Sequence, residues 1–84
     1  MIKLLYFAGL REALGTASEA MLPVAGVADI ASLRAHLAAR GGPWGEQFAP
    51  VRQLRAAVNQ DLAVAESAIA DGDEVAFFPP VTGG

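Results

Sequence analysis

Cysteine is absent from this 84-residue chain. That excludes a disulfide framework, a thiolate metal site and a cysteine nucleophile together. Charge is sparse as well: charged residues make up 18% and the net charge is -3, with no run of lysine or arginine. Such a balance argues against nucleic acid or an anionic membrane as the main ligand. No apolar run approaches the roughly 20 residues that a membrane-spanning helix needs. The stretch from Leu4 to Leu10 has one preceding lysine, meets Arg11 and Glu12 at once and lacks a convincing cleavage site, so it does not read as a secretory signal. The expected location is the cytoplasm. The glycines form neither GxxxxGK[ST] nor a strand-linked GxGxxG, so the chain has no nucleotide cradle of its own.

What is present is apolar. Hydrophobic residues make up 54% of the chain, far above the range of disordered sequences, so it folds. Its length fits one small domain, residues 1–84, with a limited core. The high apolar content also points to apolar surface that a partner covers.

"MIKLLYF" is apolar on both faces, with Ile2, Leu4 and Tyr6 on one and Leu5 and Phe7 on the other. It suits a central strand covered on both sides. "AGLREALG" places Leu10 and Leu14 one helical turn apart before Gly15, a short helix. From Ser18 to Val24 a second strand is expected, with Ala20, Leu22 and Val24 on one face. "VADIASLRAHLAARGG" repeats Val27, Ile30, Leu33, Arg34 and Leu37 at helical spacing. Asp29 favours its N-terminal end, Gly41-Gly42 end it, and the head of Arg34 should stand in water. "PWGEQFAP" reads as a loop or single turn, with Trp44 and Phe48 packing on the core. "LRAAVNQ" is a third strand with Leu54, Ala56 and Val58 on one face, followed by a brief edge segment, "LAV". "DGDEVAFF" is an Asp-Gly turn into a last strand, with Val75 and Phe77 inward and Phe78 outward. One long helix across one face of a small mixed sheet is an α+β roll, and a ubiquitin-like β-grasp is its natural form.

The usual catalytic constellations are missing. His36, the single histidine, sits off the apolar stripe of the long helix and has no serine or acid tied to it. "DGDE", Asp71 to Glu74, lacks the alternation and closing glutamate of a calcium loop and reads as a solvated turn. Arg52 and Arg55 are too few for a nucleic-acid footprint. No metal site is expected.

The end of the chain is different. Pro79 and Pro80 cannot continue a sheet ladder, and they hold their neighbourhood extended. Val81 and Thr82 are β-branched and favour extended backbone. Residues 79–84 therefore read as a stiff, slim arm with a reach of roughly 20 Å. Gly83 and Gly84 make its tip pure main chain. A carboxylate on that tip suits a narrow channel that any Cβ would obstruct, and the glycyl carbonyl is open to a nucleophile.

"DGDEVAFFPPVTGG", "MIKLLYFAGLREALG" and "AAVNQ" together resemble the small, sulfur-carrying subunits of molybdopterin synthase, a family of β-grasp proteins. The resemblance implies that Gly84 is adenylated by a separate ubiquitin-activating-like adenylyltransferase that uses ATP, the carrier itself binding no cofactor. Sulfur then replaces AMP to give a thiocarboxylate. It further implies that Pro79, Pro80, Val81, Thr82 and Gly83 thread into the large catalytic subunit, in a heterotetramer of two small and two large subunits. There sulfur passes to cyclic pyranopterin monophosphate and builds the molybdopterin dithiolene. The family's hydrophobic docking patch corresponds to Phe7, Leu62 and Phe78, with Arg11 at its edge. The carrier is not catalytic alone. Rival readings are a sulfur carrier for thiamine or tRNA thiolation, a ubiquitin-like modifier joined to lysines, and a plain interaction domain.

Overall fold

The structure is a computed structural model, and it describes residues 1–80. Its strands are β1 (Ile2–Tyr6), β2 (Ser18–Met21), β3 (Arg55–Val58), β4 (Asp61–Ala63) and β5 (Glu74–Phe78). The helices are α1 (Ala8–Leu14), α2 (Ile30–Ala38) and α3 (Gly42–Gln47). The strands form one sheet in the order β2-β1-β5-β3-β4. β1 and β5 run parallel at its centre, and every other pairing is antiparallel. With α2 packed across one face, this is the expected ubiquitin-like β-grasp.

The alternation in β1 decides which face is covered. Ile2, Leu4 and Tyr6 are buried, while Lys3 and Phe7 are exposed and Leu5 is half-buried. The expectation of a strand covered on both faces fails here. α2 spans nine residues and can cover one face only. The apolar residues of the opposite face are left open.

The second strand also departs from expectation. It stops at Met21, which is buried and faces the core, whereas Leu22 is 66% exposed. Its ladder ends where Met21 meets Ile2, the first residue of β1. Pro23 then has no N–H with which to extend it. The expected shared face of Ala20, Leu22 and Val24 does not form, because pairing against β1 turns Met21 inward instead.

α2 begins at a capping box. The Asp29 carboxylate accepts from the Ser32 amide at 2.8 Å, and the Ser32 hydroxyl accepts from the Asp29 amide at 3.1 Å. Ile30, Leu33 and Leu37 are buried beneath it, and His36 is half-buried. The helix ends at Ala38, ahead of the two glycines, and Val27 precedes it. Gly41 and Gly42 adopt φ of 78° and 54°, a left-handed reversal that glycine makes without steric cost. The segment expected as a loop or turn is α3, with Pro43 in its first turn, where a missing N–H does no harm.

Trp44 and Phe48 lock α3 to the sheet. Their rings stack at 5.9 Å, and Phe48 meets Phe77 edge-on at 5.2 Å. Tyr6 stands edge-on to both Trp44 and Phe48. The buried Tyr6 hydroxyl has no hydrogen-bond partner among the described residues. Burial, reinforced by the nearby Glu19 carboxylate, holds this phenol well above the usual tyrosine range. The head of Arg34 is not in water as expected: it donates to the carbonyls of Phe48, Ala49 and Arg52.

Candidate functional site

The uncovered face of the sheet carries a depression of about 410 Å³, lined by Leu5, Phe7, Ala57, Gln60, Leu62, Glu74, Ala76 and Phe78. Its shape follows from residue size. Ala57 pairs with Ala76 on one side and Leu62 on the other, and Ala76 pairs with Leu5. Two methyl groups therefore make the floor where the sheet centre would otherwise carry large side chains. Phe7, Leu62 and Phe78 rise around it, with Phe7 46% and Leu62 75% exposed. Three large apolar side chains around a hollow make a surface suited to an apolar projection from another protein.

Of the residues assigned to a docking patch, Phe7, Leu62 and Phe78 are thus brought together although they come from β5, β4 and the end of β1. Arg11 is not among the lining residues; it lies exposed on α1, where its amide donates to the Phe7 carbonyl at 3.3 Å. Leu5, Ala57 and Ala76 were missed as members. The available signal was the strand alternation itself: Leu5 shares the outward parity of Phe7, Ala76 that of Phe78, and Ala57 follows the buried Ala56 in β3.

The chain leaves the sheet at one end of this face. Phe78 closes β5 opposite Arg55, and Pro79 and Pro80 follow outside the ladder, both half-buried. Pro79 lines a small depression of about 260 Å³ with Gly9, Leu10, Arg52 and Leu54. The sheet ends at Phe78, as the prolines imply. Val81, Thr82, Gly83 and Gly84 lie outside the described residues.

A larger apolar groove, about 680 Å³, opens on the helical side between α2 and the β3-β4 edge. It exists because Ala31, Ala35 and Ala38 face Ala56, Ala63 and Ala65. Among the described residues no three His, Asp or Glu side chains gather as a metal site, and no helix is long and apolar enough to cross a membrane.

The ThiS family profile matches residues 4–84. Over 84 residues, all of both chains, the sequence is 46% identical to the molybdopterin synthase sulfur carrier subunit of Escherichia coli K12. It is 42% identical, again end to end, to the protein of the same description from Haemophilus influenzae. Among solved structures it is similar to SAMP1, a small archaeal modifier protein, from Haloferax volcanii. That likeness has a TM-score of 0.75 at 26% identity, covering 99% of this chain and 98% of the other. The chain belongs to the ThiS family, in the branch that holds the molybdopterin synthase sulfur carrier subunits.

Proposed function

We propose that this protein is the sulfur-carrier subunit of a molybdopterin synthase, working in the cytoplasm. The observation that carries the reading is end-to-end identity with carriers of that description. The open apolar depression beside the root of a diglycine arm supports it. The arm, residues 79–84, presents the Gly84 carboxylate. A carboxylate resists sulfide because its oxygen is a poor leaving group. Adenylation by a partner that uses ATP forms a mixed anhydride, and attack by a sulfur nucleophile expels AMP and leaves a thiocarboxylate. In the large subunit that sulfur is given to cyclic pyranopterin monophosphate. The carrier supplies the reacting group and its position, and acid and base come from the partner.

Phe7, Leu62 and Phe78 form the surface on which the adenylyltransferase and the large subunit dock in turn, and Arg11 borders it. The assembly is a heterotetramer of two carriers and two large subunits. The test is intact-mass analysis after incubation with the adenylyltransferase, ATP and a sulfur source. One oxygen of Gly84 should be exchanged for sulfur, and fragmentation should place the change on that residue. Deleting Gly84 shortens the reach by roughly 3.5 Å and should abolish transfer while leaving the fold intact. A Gly84-deleted protein that still supports molybdopterin formation would overturn the reading.

A second reading, a modifier joined to lysines, is favoured by the likeness to SAMP1. It predicts isopeptide adducts of other proteins in extracts of the native cells, where the carrier reading predicts the thiocarboxylate.

A further inference from the structure

The apolar groove on the helical side belongs neither to the open face of the sheet nor to the residues at which the chain leaves it. Main-chain bonds hold its walls together. The Ala31 amide at the start of α2 donates to the Ala65 carbonyl at 2.9 Å, and the Ile30 amide donates to the Ser67 carbonyl at 3.1 Å. The segment after β4 is thereby tied across to the helix. Along α2 the lining runs from Ile30 to Ala38, about 12 Å at the helical rise, room for an extended chain of roughly ten carbons.

Every side chain that lines the groove is apolar except that of Arg34. Its Nε and Nη2 are engaged with the carbonyls of Phe48, Ala49 and Arg52. Nη1 makes no hydrogen bond among the described residues. The one buried polar side-chain atom without a partner there is the Tyr6 hydroxyl, so Nη1 is reachable from solvent. The guanidinium also lacks a counter-ion: the ion pairs among the described residues are Met1 with Asp71 and Arg40 with Glu19. Burial already pulls its pKa below the ordinary arginine range. An anion meeting Nη1 beside these apolar walls gains more than it would in open water.

The rest of the lining offers no side-chain donor or acceptor. A peptide laid in the groove would therefore leave main-chain groups unpaired. A phosphate would bring a second charge with no second cation in the lining. One carboxylate on an aliphatic chain meets neither obstacle. We propose that this groove binds a medium-chain carboxylic acid, with its head on Arg34 Nη1 and its chain along the alanines of α2. The site does not depend on the carrier reading, and it leaves the open face of the sheet free.

Decanoate and decanol are the probes, each titrated into the isotope-labelled full chain while the amide resonances are followed by NMR. Decanoate should bind roughly tenfold tighter than decanol, although the alcohol is the more apolar of the two. The shifts should centre on Ala31, Ala35 and Ala65. Arg34→Met should abolish the preference for the acid. Because that change also weakens the fold, Ala35→Glu serves as a second variant. Position 35 is exposed on α2 and glutamate is a good helix former, so the fold should hold. The added carboxylate on the groove wall should weaken decanoate binding by roughly tenfold or more. Equal affinity for acid and alcohol in the parent would overturn the proposal, and so would shifts centred on Leu5, Ala57 and Ala76 of the open face. Undiminished decanoate binding by Ala35→Glu would overturn it as well.

Discussion

Arg34 on α2 and Phe48 at the end of α3 are joined by a hydrogen bond of 3.0 Å from the guanidinium Nε to the main-chain carbonyl. The terminal nitrogen of the same side chain donates to Ala49 and Arg52 at 2.5 and 2.6 Å. One planar fork thus satisfies carbonyls that the end of α3 and the following turn leave free. It also fixes the backbone of Phe48, whose ring packs under the helices against Phe77.

Arg34→Met keeps the aliphatic stem and removes the three bonds. With partly exposed carbonyls able to recruit water, the expected cost is about 2 kcal/mol. For a domain of this size that lowers Tm by roughly 10 °C. Arg34→Lys should recover little of it, since a point charge cannot serve three carbonyls in a plane. Thermal melts followed by circular dichroism check both; a Lys variant as stable as the parent would remove the fork from the account.

The β3-β4 turn offers a gain. Asn59 and Gln60 have φ of 50° and 73°, the left-handed pair that a two-residue I′ turn requires. Asn59 suits its place: its side chain donates to Asp73 at 3.0 Å and accepts from the Glu74 amide at 3.0 Å. Gln60 has no such compensation. Gln60→Gly should stabilise the protein by about 0.5–1 kcal/mol, seen as a higher denaturant midpoint at unchanged slope.

Asp29 gives the N-terminus of α2 a pH dependence. Hydrogen bonds from Ser32 hold its carboxyl below the usual aspartate range. A group depressed in the folded state stabilises the protein above its unfolded value, and that stability is lost as pH falls through the folded value. Asp29→Asn keeps an acceptor for the cap but cannot titrate. The difference in Tm between parent and Asn variant should therefore shrink on acidification; a constant difference would assign the cap no charge contribution.

A substitution at Phe78 tests the proposed docking surface apart from folding. It is half-buried on the open face, while its neighbour Phe77 is fully buried in the core. Phe78→Asp should leave a folded protein with a Tm within a few degrees of the parent. It should weaken binding to the large subunit by at least tenfold, because an unpaired carboxylate would enter an apolar contact. Calorimetry with the purified large subunit measures it, and unchanged affinity would remove the open face as the docking surface.

The sequence by itself determined most of the elements. The apolar run of β1, the alternation in β5, the stripe Ile30-Leu33-Leu37 with Asp29 ahead of it, and the prolines after Phe78 are local signals. They need only neighbours along the chain to be interpreted, and α2, β5 and the end of the sheet follow from them. The chemistry proposed for the diglycine rests on the sequence alone, because residues 81–84 lie outside the described residues. Pairing between distant segments was decided by the tertiary structure. Whether Leu5 and Phe7 would be covered depended on how many helices the sheet could recruit, and one long helix left that face open. Where β2 stopped depended on where its partner began, at Ile2. Arg34 finds its acceptors 14 to 18 residues away, on a segment whose sequence reads as a loop. The hollow between Phe7, Leu62 and Phe78 arises from two alanines placed side by side by register, and no single stretch of chain contains both.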